Sequence, residues 1–129
     1  MIEPYSLEIE QKQGYLHARV RGENTPEVTC RYVREVIAAA RQAKCPAVLI
    51  EENLQGPRMG AGDLISIVQD YHAQFREAIR VAAFVDVNAE RSDENMRFVE
   101  DASVNRGAGV AGFPTVAEAE DWIRKKVSG

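Results

Sequence analysis

Acidic and amide side chains follow two apolar runs in the sequence, where they are well placed to bind a ligand or to transfer protons. Glu52 and Asn53 come after the apolar run 47–50, and Asp86 ends the run 81–85. In open α/β sheets, ligands bind beyond the carboxyl ends of the strands. Carboxylates there can act as an acid–base pair or supply oxygen ligands to a divalent ion. The alternative is that these polar residues simply terminate two buried strands.

A glycine-rich loop follows the first of these groups and is a second candidate site. Gly56, Gly60 and Gly62 allow backbone amides to converge on an anion at the start of a helix, and Arg58 adds positive charge. Asp63 opposes this reading, because it would cap the helix and repel an anion. The spacing matches neither the phosphate-binding loop nor the dinucleotide fingerprint. An ordinary connecting loop is the alternative.

The histidines and cysteines lack the spacing of catalytic or metal sites. His17 lies on the polar face of a predicted strand, and His72 lies on an apolar helical stripe, where a packing role is expected. Cys30 and Cys45 fit neither a Cys-x-x-Cys motif nor a zinc ligand pair, which indicates two small side chains that are buried or half-buried. We therefore predict no catalytic residue, no metal and no cofactor. A small enzyme that uses Glu52, Asp86 and the glycine-rich loop stays open as an alternative.

The composition excludes several classes of protein. The chain has 129 residues, of which 45% are hydrophobic and 28% charged, and 16 basic against 20 acidic residues give a net charge of −4. These values are ordinary for a globular protein, and the acidic balance argues against a nucleic-acid binder. No apolar run approaches the roughly 18 residues of a membrane helix, and residues 1–4 lack the pattern of a signal peptide. We expect a single cytoplasmic domain over residues 1–129 that does not insert into a membrane.

The elements that position the candidate residues follow from hydrophobic periodicity and helix caps. Strands are predicted at 4–10, 15–21, 47–50, 81–87 and 110–113, and helices are predicted to begin at 25, 63, 92 and 115. The first two strands form a β-hairpin, and strands then alternate with helices, which implies parallel pairing. The predicted fold class is therefore α/β, with a mostly parallel five-stranded sheet and four helices.

The closing segment 113–123 reads Phe-Pro-Thr-Val-x-Glu-Ala-x-x-Trp-Ile. This segment resembles that of the STAS-like proteins, small α/β domains related to anti-sigma-factor antagonists. Members of the SpoIIAA-like branch end in a similar way, with an aromatic residue, an acidic turn and a helix carrying Glu-Ala-x-x-Trp-Leu. The resemblance extends over nearly the whole chain in element order, and it implies a single STAS-like domain.

The phosphorylation switch of this family is not carried over. Antagonists have a phosphorylatable Ser in the turn between a buried strand and the following helix. The corresponding residues 53–64 contain neither Ser nor Thr, and the nearest hydroxyl, Ser66, lies inside a predicted helix. The resemblance therefore implies the fold without the switch, and a phospho-regulated antagonist stays as an alternative.

The resemblance implies that the chain is a regulatory, non-enzymatic module. Such a module would act through a protein partner, through a homodimer formed by the exposed sheet face or edge strand, or through a small ligand. Binding of small apolar ligands is a suggested use in this branch. A ligand of that kind would contact aromatic residues such as Tyr71, Phe75, Phe84, Phe98 and Phe113. Aromatic residues at helical spacing are also typical of a core.

Overall fold

The computed structural model describes residues 5–56, 66, 67, 69, 73–75, 77–87 and 109–128. The elements are β1 (Tyr5–Gln11), β2 (Leu16–Glu23), α1 (Pro26–Ala43), β3 (Ala47–Gln55), β4 (Val81–Asp86), β5 (Gly109–Phe113) and α2 (Val116–Ser128). Between β3 and β4, the described residues from Ser66 to Ala78 are helical. The helix predicted to begin at residue 92 lies outside the described residues.

The strands form one sheet in the order β1-β2-β3-β4-β5. β1 and β2 are antiparallel, with Tyr5 opposite Gly22 and Gln11 opposite Leu16, and every other neighbouring pair is parallel. This arrangement confirms the predicted α/β class and the mostly parallel five-stranded sheet.

β3 is longer than the sequence pattern indicates, and its end was predicted wrongly. The prediction stops the strand at residue 50, where the apolar run ends, but the strand continues to Gln55. The physical reason is that β2 pairs with β3 as far as Glu23 opposite Gln55, so the hydrogen-bonded ladder continues past the apolar residues. Glu52 and Asn53 therefore lie within a strand.

The two faces of the sheet are covered by different helices. Because successive side chains of a strand point to opposite faces, Val48 and Ile50 of β3 pack towards α1, whereas Ala47 and Leu49 pack towards α2. The α1 layer includes Ala18, Val20, Val28, Tyr32, Val36 and Ile79, and the α2 layer includes Tyr15, Ala83, Val85, Ala119 and Ile123. The region 47–50 is thus buried on both faces, as predicted.

The starts of α1 and α2 match the sequence signals, and the starts predicted at residues 63 and 92 lie outside the described residues. The Thr25 side chain accepts the N–H of Val28 at 3.1 Å and caps α1, with Pro at the first helical position. The Thr115 hydroxyl accepts the N–H of Glu118 at 3.2 Å at the start of α2. Among the residues described, no helix has both the length and the apolar character needed to cross a membrane.

Candidate functional site

Glu52 and Asp86 lie side by side at the carboxyl ends of β3 and β4. They are register partners on neighbouring parallel strands, so their side chains share the face that α1 covers. Asp86 is 8% exposed and Glu52 is half-buried. The structure therefore brings together the two carboxylates that the strand-end pattern singles out. We call these residues, together with Tyr32 of α1, the strand-end cluster.

Tyr32 places a hydroxyl on this acidic pair. Its side chain is 1% exposed, and its hydroxyl donates to Glu52 Oε2 at 2.7 Å. The helical periodicity assigns Tyr32 only to the buried stripe of α1. A signal was nevertheless present in the sequence, because a buried Tyr hydroxyl usually finds a hydrogen-bond partner, and the strand-end acids are the nearest ones in the fold.

The environment of Tyr32 keeps its hydroxyl protonated. Burial raises the pKa of Tyr32 well above its ordinary value of 10.0, and the negative charges of Glu52 and Asp86 raise it further. Tyr32 is therefore a neutral hydrogen-bond donor at pH 7, which holds Glu52 against α1. This arrangement links the helix to the end of the sheet.

Of the other predicted ligand-binding residues, Asn53 does not join this cluster. Asn53 follows Glu52 directly on a strand, so its side chain points to the opposite face and accepts a hydrogen bond from Gln55 Nε2 at 3.0 Å. Gly56 follows the last residue of β3 and has a φ of 110°, a conformation that favours glycine. Arg58, Gly60 and Gly62 lie outside the described residues.

A second acid–base pair, which the sequence pattern did not indicate, lies on the α2 side of the sheet. His17 Nε2 is 2.9 Å from Glu51 Oε1, and because a carboxylate only accepts hydrogen bonds, the imidazole is the donor. His17 lies on the polar face that the alternation predicts, but it is buried there, with 3% of its surface exposed. Its Nδ1 is also buried, without a hydrogen-bond partner in the described part of the chain.

α2 covers the residue that precedes β2 on this side of the sheet. Tyr15, immediately before the strand, is 1% exposed, and its hydroxyl donates to Glu120 Oε2 of α2 at 2.7 Å. Burial raises the pKa of Tyr15, as do the hydrogen bond and the charge of Glu120, while Arg124 acts in the opposite direction. Period-two alternation alone assigns Tyr15 and His17 to a polar face, and it does not show where a later helix will pack.

Beyond these residues, the same side of the sheet carries an exposed polar surface. We call it the open face and define it as Ser6, Glu8, Glu10, Arg19, Arg21 and Asn53, which are exposed or half-buried. Their common face follows from the β1–β2 and β2–β3 registers. α2 packs on β3, β4 and β5, so the described helices leave this part of the sheet uncovered.

The aromatic residues that the structure describes pack within its two apolar layers. Phe75 and Phe84 pack against the α1 layer, and Phe113 packs against Trp122 of α2 with ring centroids 5.4 Å apart. Tyr71 and Phe98 lie outside the described residues. Within the part of the chain that is described, no three His, Cys, Asp or Glu side chains cluster as metal ligands do.

Solved structures share this fold. An anti-sigma factor antagonist from Mycobacterium paratuberculosis has 18% sequence identity and a TM-score of 0.55, over 93% of this chain and 94% of that one. An uncharacterised DUF3478-family protein with a SpoIIAA-like fold, from Shewanella loihica PV-4, has 14% identity and a TM-score of 0.54, over 95% of this chain and 96% of that one. No family model matches the sequence, and no curated protein matches it. The likeness shows that the chain has a STAS-like fold.

Proposed function

We propose that this chain is a single-domain, non-enzymatic module of STAS-like fold that acts through contacts with a protein partner. The observation that carries the proposal is the open face, where polar side chains of three adjacent strands form an accessible surface that no described helix covers. Arg21 and Asn53, which are register partners there, offer hydrogen-bond donors and an acceptor to a partner.

The placement of the chemically active side chains supports a binding role over catalysis. Asp86 and His17 are 8% and 3% exposed, and Glu52 is engaged by the Tyr32 hydroxyl. Glu52 and His17 each form a hydrogen bond that joins a strand to its surroundings. Groups that transfer protons to a substrate must come within hydrogen-bond reach of it, and the interior position of these side chains works against that.

The similarity to an anti-sigma factor antagonist supports a protein partner, because that protein is described by its effect on another protein. The corresponding loop of this chain has no Ser or Thr between residues 53 and 64. We therefore propose that partner binding is not switched by phosphorylation of this loop. Incubation with a kinase that phosphorylates antagonists of this fold is expected to give no gain in intact mass, and a gain assigned to this region would contradict the proposal.

The main experiment identifies and then reconstitutes the complex. The tagged chain is used to recover partners from the cells that encode it, and binding is then measured between two purified proteins, because co-recovery alone does not establish contact. Arg21→Glu on the open face is expected to weaken binding about 10-fold, the effect of losing ~1.4 kcal/mol. Arg41→Glu is the matched control, since Arg41 is an exposed arginine of α1, which packs on the other face. Equal affinity of the two variants would refute the open face as the contact.

A second candidate function, binding of a small ligand at the carboxyl end of the sheet, is favoured by the strand-end cluster. Glu52 and Asp86 concentrate negative charge beside a hydroxyl donor, at the edge where α/β sheets bind ligands. Native mass spectrometry of the purified chain separates the two functions and also reports a homodimer. We expect the mass of the bare chain. A stoichiometric small molecule, lost on Asp86→Asn but retained on Arg21→Glu, would overturn the first proposal in favour of this one.

A further inference from the structure

β1 is an edge strand among the strands that the structure describes. The backbone N–H of Lys12 donates to the carbonyl oxygen of Tyr15 at 2.8 Å, which fixes the phase of the hydrogen bonds between β1 and β2. Because bonded and non-bonded pairs alternate along an antiparallel ladder, the even-numbered residues of β1 direct their N–H and C=O groups at β2. Leu7 and Ile9 therefore direct theirs outward, away from the sheet.

The two rows of side chains on β1 differ in chemistry. Leu7 is half-buried against the α1 layer, and Ile9, on the same face, is 36% exposed. Glu8 and Glu10 lie on the open face, and both are exposed. A strand added beside β1 would therefore meet an apolar row on one face and an acidic row on the other.

β2 neutralises this acidic row only in part. Arg19 is the register partner of Glu8, but its guanidinium lies 3.6 Å from Glu10 and 3.6 Å from Glu51. Glu10 also contacts Lys12 at 3.3 Å. Within the described residues, Glu8 has no ion-pair partner, so its carboxylate is available to a cation beyond the edge.

We propose that β1 accepts an extended segment of the partner protein as a sixth strand, and that apolar residues alternate with Lys or Arg in this segment. This inference rests on the proposed function and specifies the chemistry of the partner. The outward N–H and C=O groups of Leu7 and Ile9 supply two donors and two acceptors to the added strand. Apolar side chains of the segment pack beside Ile9, and basic ones pair with Glu8.

A second copy of this chain fits the edge less well. Two copies of β1 paired side by side would bring two acidic rows together on the open face, where like charges on neighbouring strands repel. A basic row replaces this repulsion with attraction. The charge pattern of the edge therefore favours a basic partner strand.

The test uses the full chain, labelled for NMR, and a short peptide of alternating Lys and Val. We expect shift changes centred on β1 and slower hydrogen exchange at the amides of Leu7 and Ile9, which point outward in the free chain. The amides of Glu8 and Glu10 are expected to be protected with or without peptide, because they bond to β2. The controls are a scrambled peptide of the same composition and a peptide of alternating Glu and Val, and neither is expected to slow exchange at the outward amides.

Two variants test the edge and its charge separately. Ile9→Pro removes an outward donor that the fold does not use, and edge strands tolerate proline. It is expected to weaken peptide binding about 10-fold or more, equivalent to ~1.4 kcal/mol. Glu8→Lys is expected to weaken binding of the Lys–Val peptide about 5-fold and to strengthen binding of the Glu–Val peptide.

A third measurement does not depend on how the variants fold. Methylation of alternate backbone nitrogens of the Lys–Val peptide blocks its hydrogen bonds on one side only. Two such peptides are compared, one methylated at the odd-numbered and one at the even-numbered nitrogens. One of them is expected to lose binding to the wild-type chain, and the other is expected to retain it.

Three results would overturn the inference. The first is that the scrambled peptide binds as tightly as the Lys–Val peptide. The second is that hydrogen exchange at the amides of Leu7 and Ile9 stays unchanged while the Lys–Val peptide is bound. The third is that sedimentation shows a dimer that Ile9→Pro abolishes and the peptide does not displace. The last would assign the edge to a second copy. Failure here is separable from failure of the proposed function. A purified partner that binds the wild-type chain and Ile9→Pro alike removes the edge inference and leaves the proposed function standing.

Discussion

Replacing Tyr32 with phenylalanine removes one hydroxyl and leaves the ring in the core. That hydroxyl donates to the Glu52 carboxylate at 2.7 Å in the α1 layer. A hydrogen bond to a charged group contributes about 1.5–3 kcal/mol to stability, and we expect the lower half of this range because Glu52 is half-buried. Tyr32→Phe should therefore lower the free energy of unfolding by ~1.5–2 kcal/mol. Each kcal/mol lost should lower Tm by roughly 4 °C.

A double-mutant cycle isolates this interaction from the other contacts of Glu52. Urea unfolding of the wild-type chain, Tyr32→Phe, Glu52→Ala and the double variant is expected to give a coupling energy of ~1–2 kcal/mol. Tyr5→Phe is the matched control, because the Tyr5 hydroxyl also donates to a glutamate, Glu35, but at an exposed site. Its cost should stay below about 0.5–1 kcal/mol. A coupling energy near zero, or equal costs for the two Tyr→Phe variants, would refute the assigned role of Tyr32.

Three further predictions concern pH, packing and helix caps. The pKa of Tyr32 is raised in the folded chain above its unfolded value near 10, so the stability that its protonated hydroxyl contributes is present below pH 10. Above pH 10 this stability is lost by up to ~1.4 kcal/mol per pH unit. The urea midpoint of the wild-type chain should therefore fall above pH 10, and that of Tyr32→Phe should fall less. Gly109→Ala places a Cβ 2.7 Å from the Arg80 carbonyl oxygen, so thermal unfolding should show a loss of about 1–3 kcal/mol, and an unchanged Tm would contradict this close approach. Thr25→Ala and Thr115→Ala each remove a helix cap and should each cost ~1 kcal/mol in urea unfolding, whereas the Ser variants should retain most of the stability.

Local sequence signals predicted the starts of α1 and α2 and the types of the described elements. The cap at Thr25, the proline after it and the cap at Thr115 act within four residues of themselves, so the chain need not be folded for them to be recognised. The β-hairpin and the strand buried on both faces were also predicted, because the period of the apolar residues is a local property.

The sequence pattern singled out two of the three residues of the strand-end cluster. Glu52 and Asp86 were candidates because each follows an apolar run at the carboxyl end of a predicted strand, and the structure places them as register partners on β3 and β4. Tyr32 was missed because it is 20 residues from Glu52 in sequence and joins it only when α1 packs on the sheet. Asn53 was grouped with Glu52 because the predicted strand stopped too early, and it lies on the opposite face.

The sequence by itself determined the order of the elements, their caps and the apolar core of the sheet, since these depend on side-chain type and short-range spacing. Only the tertiary structure decided the length of β3, the burial of His17 beside Glu51, and which residues of β1 direct their backbone N–H and C=O groups outward. The first two depend on neighbours distant in sequence, because β2 extends β3 and Glu51 of β3 pairs with His17 of β2. The third depends on the hairpin register, which directs the backbone of β1. Together these contacts shape the open face and the edge on which the proposed interactions rest.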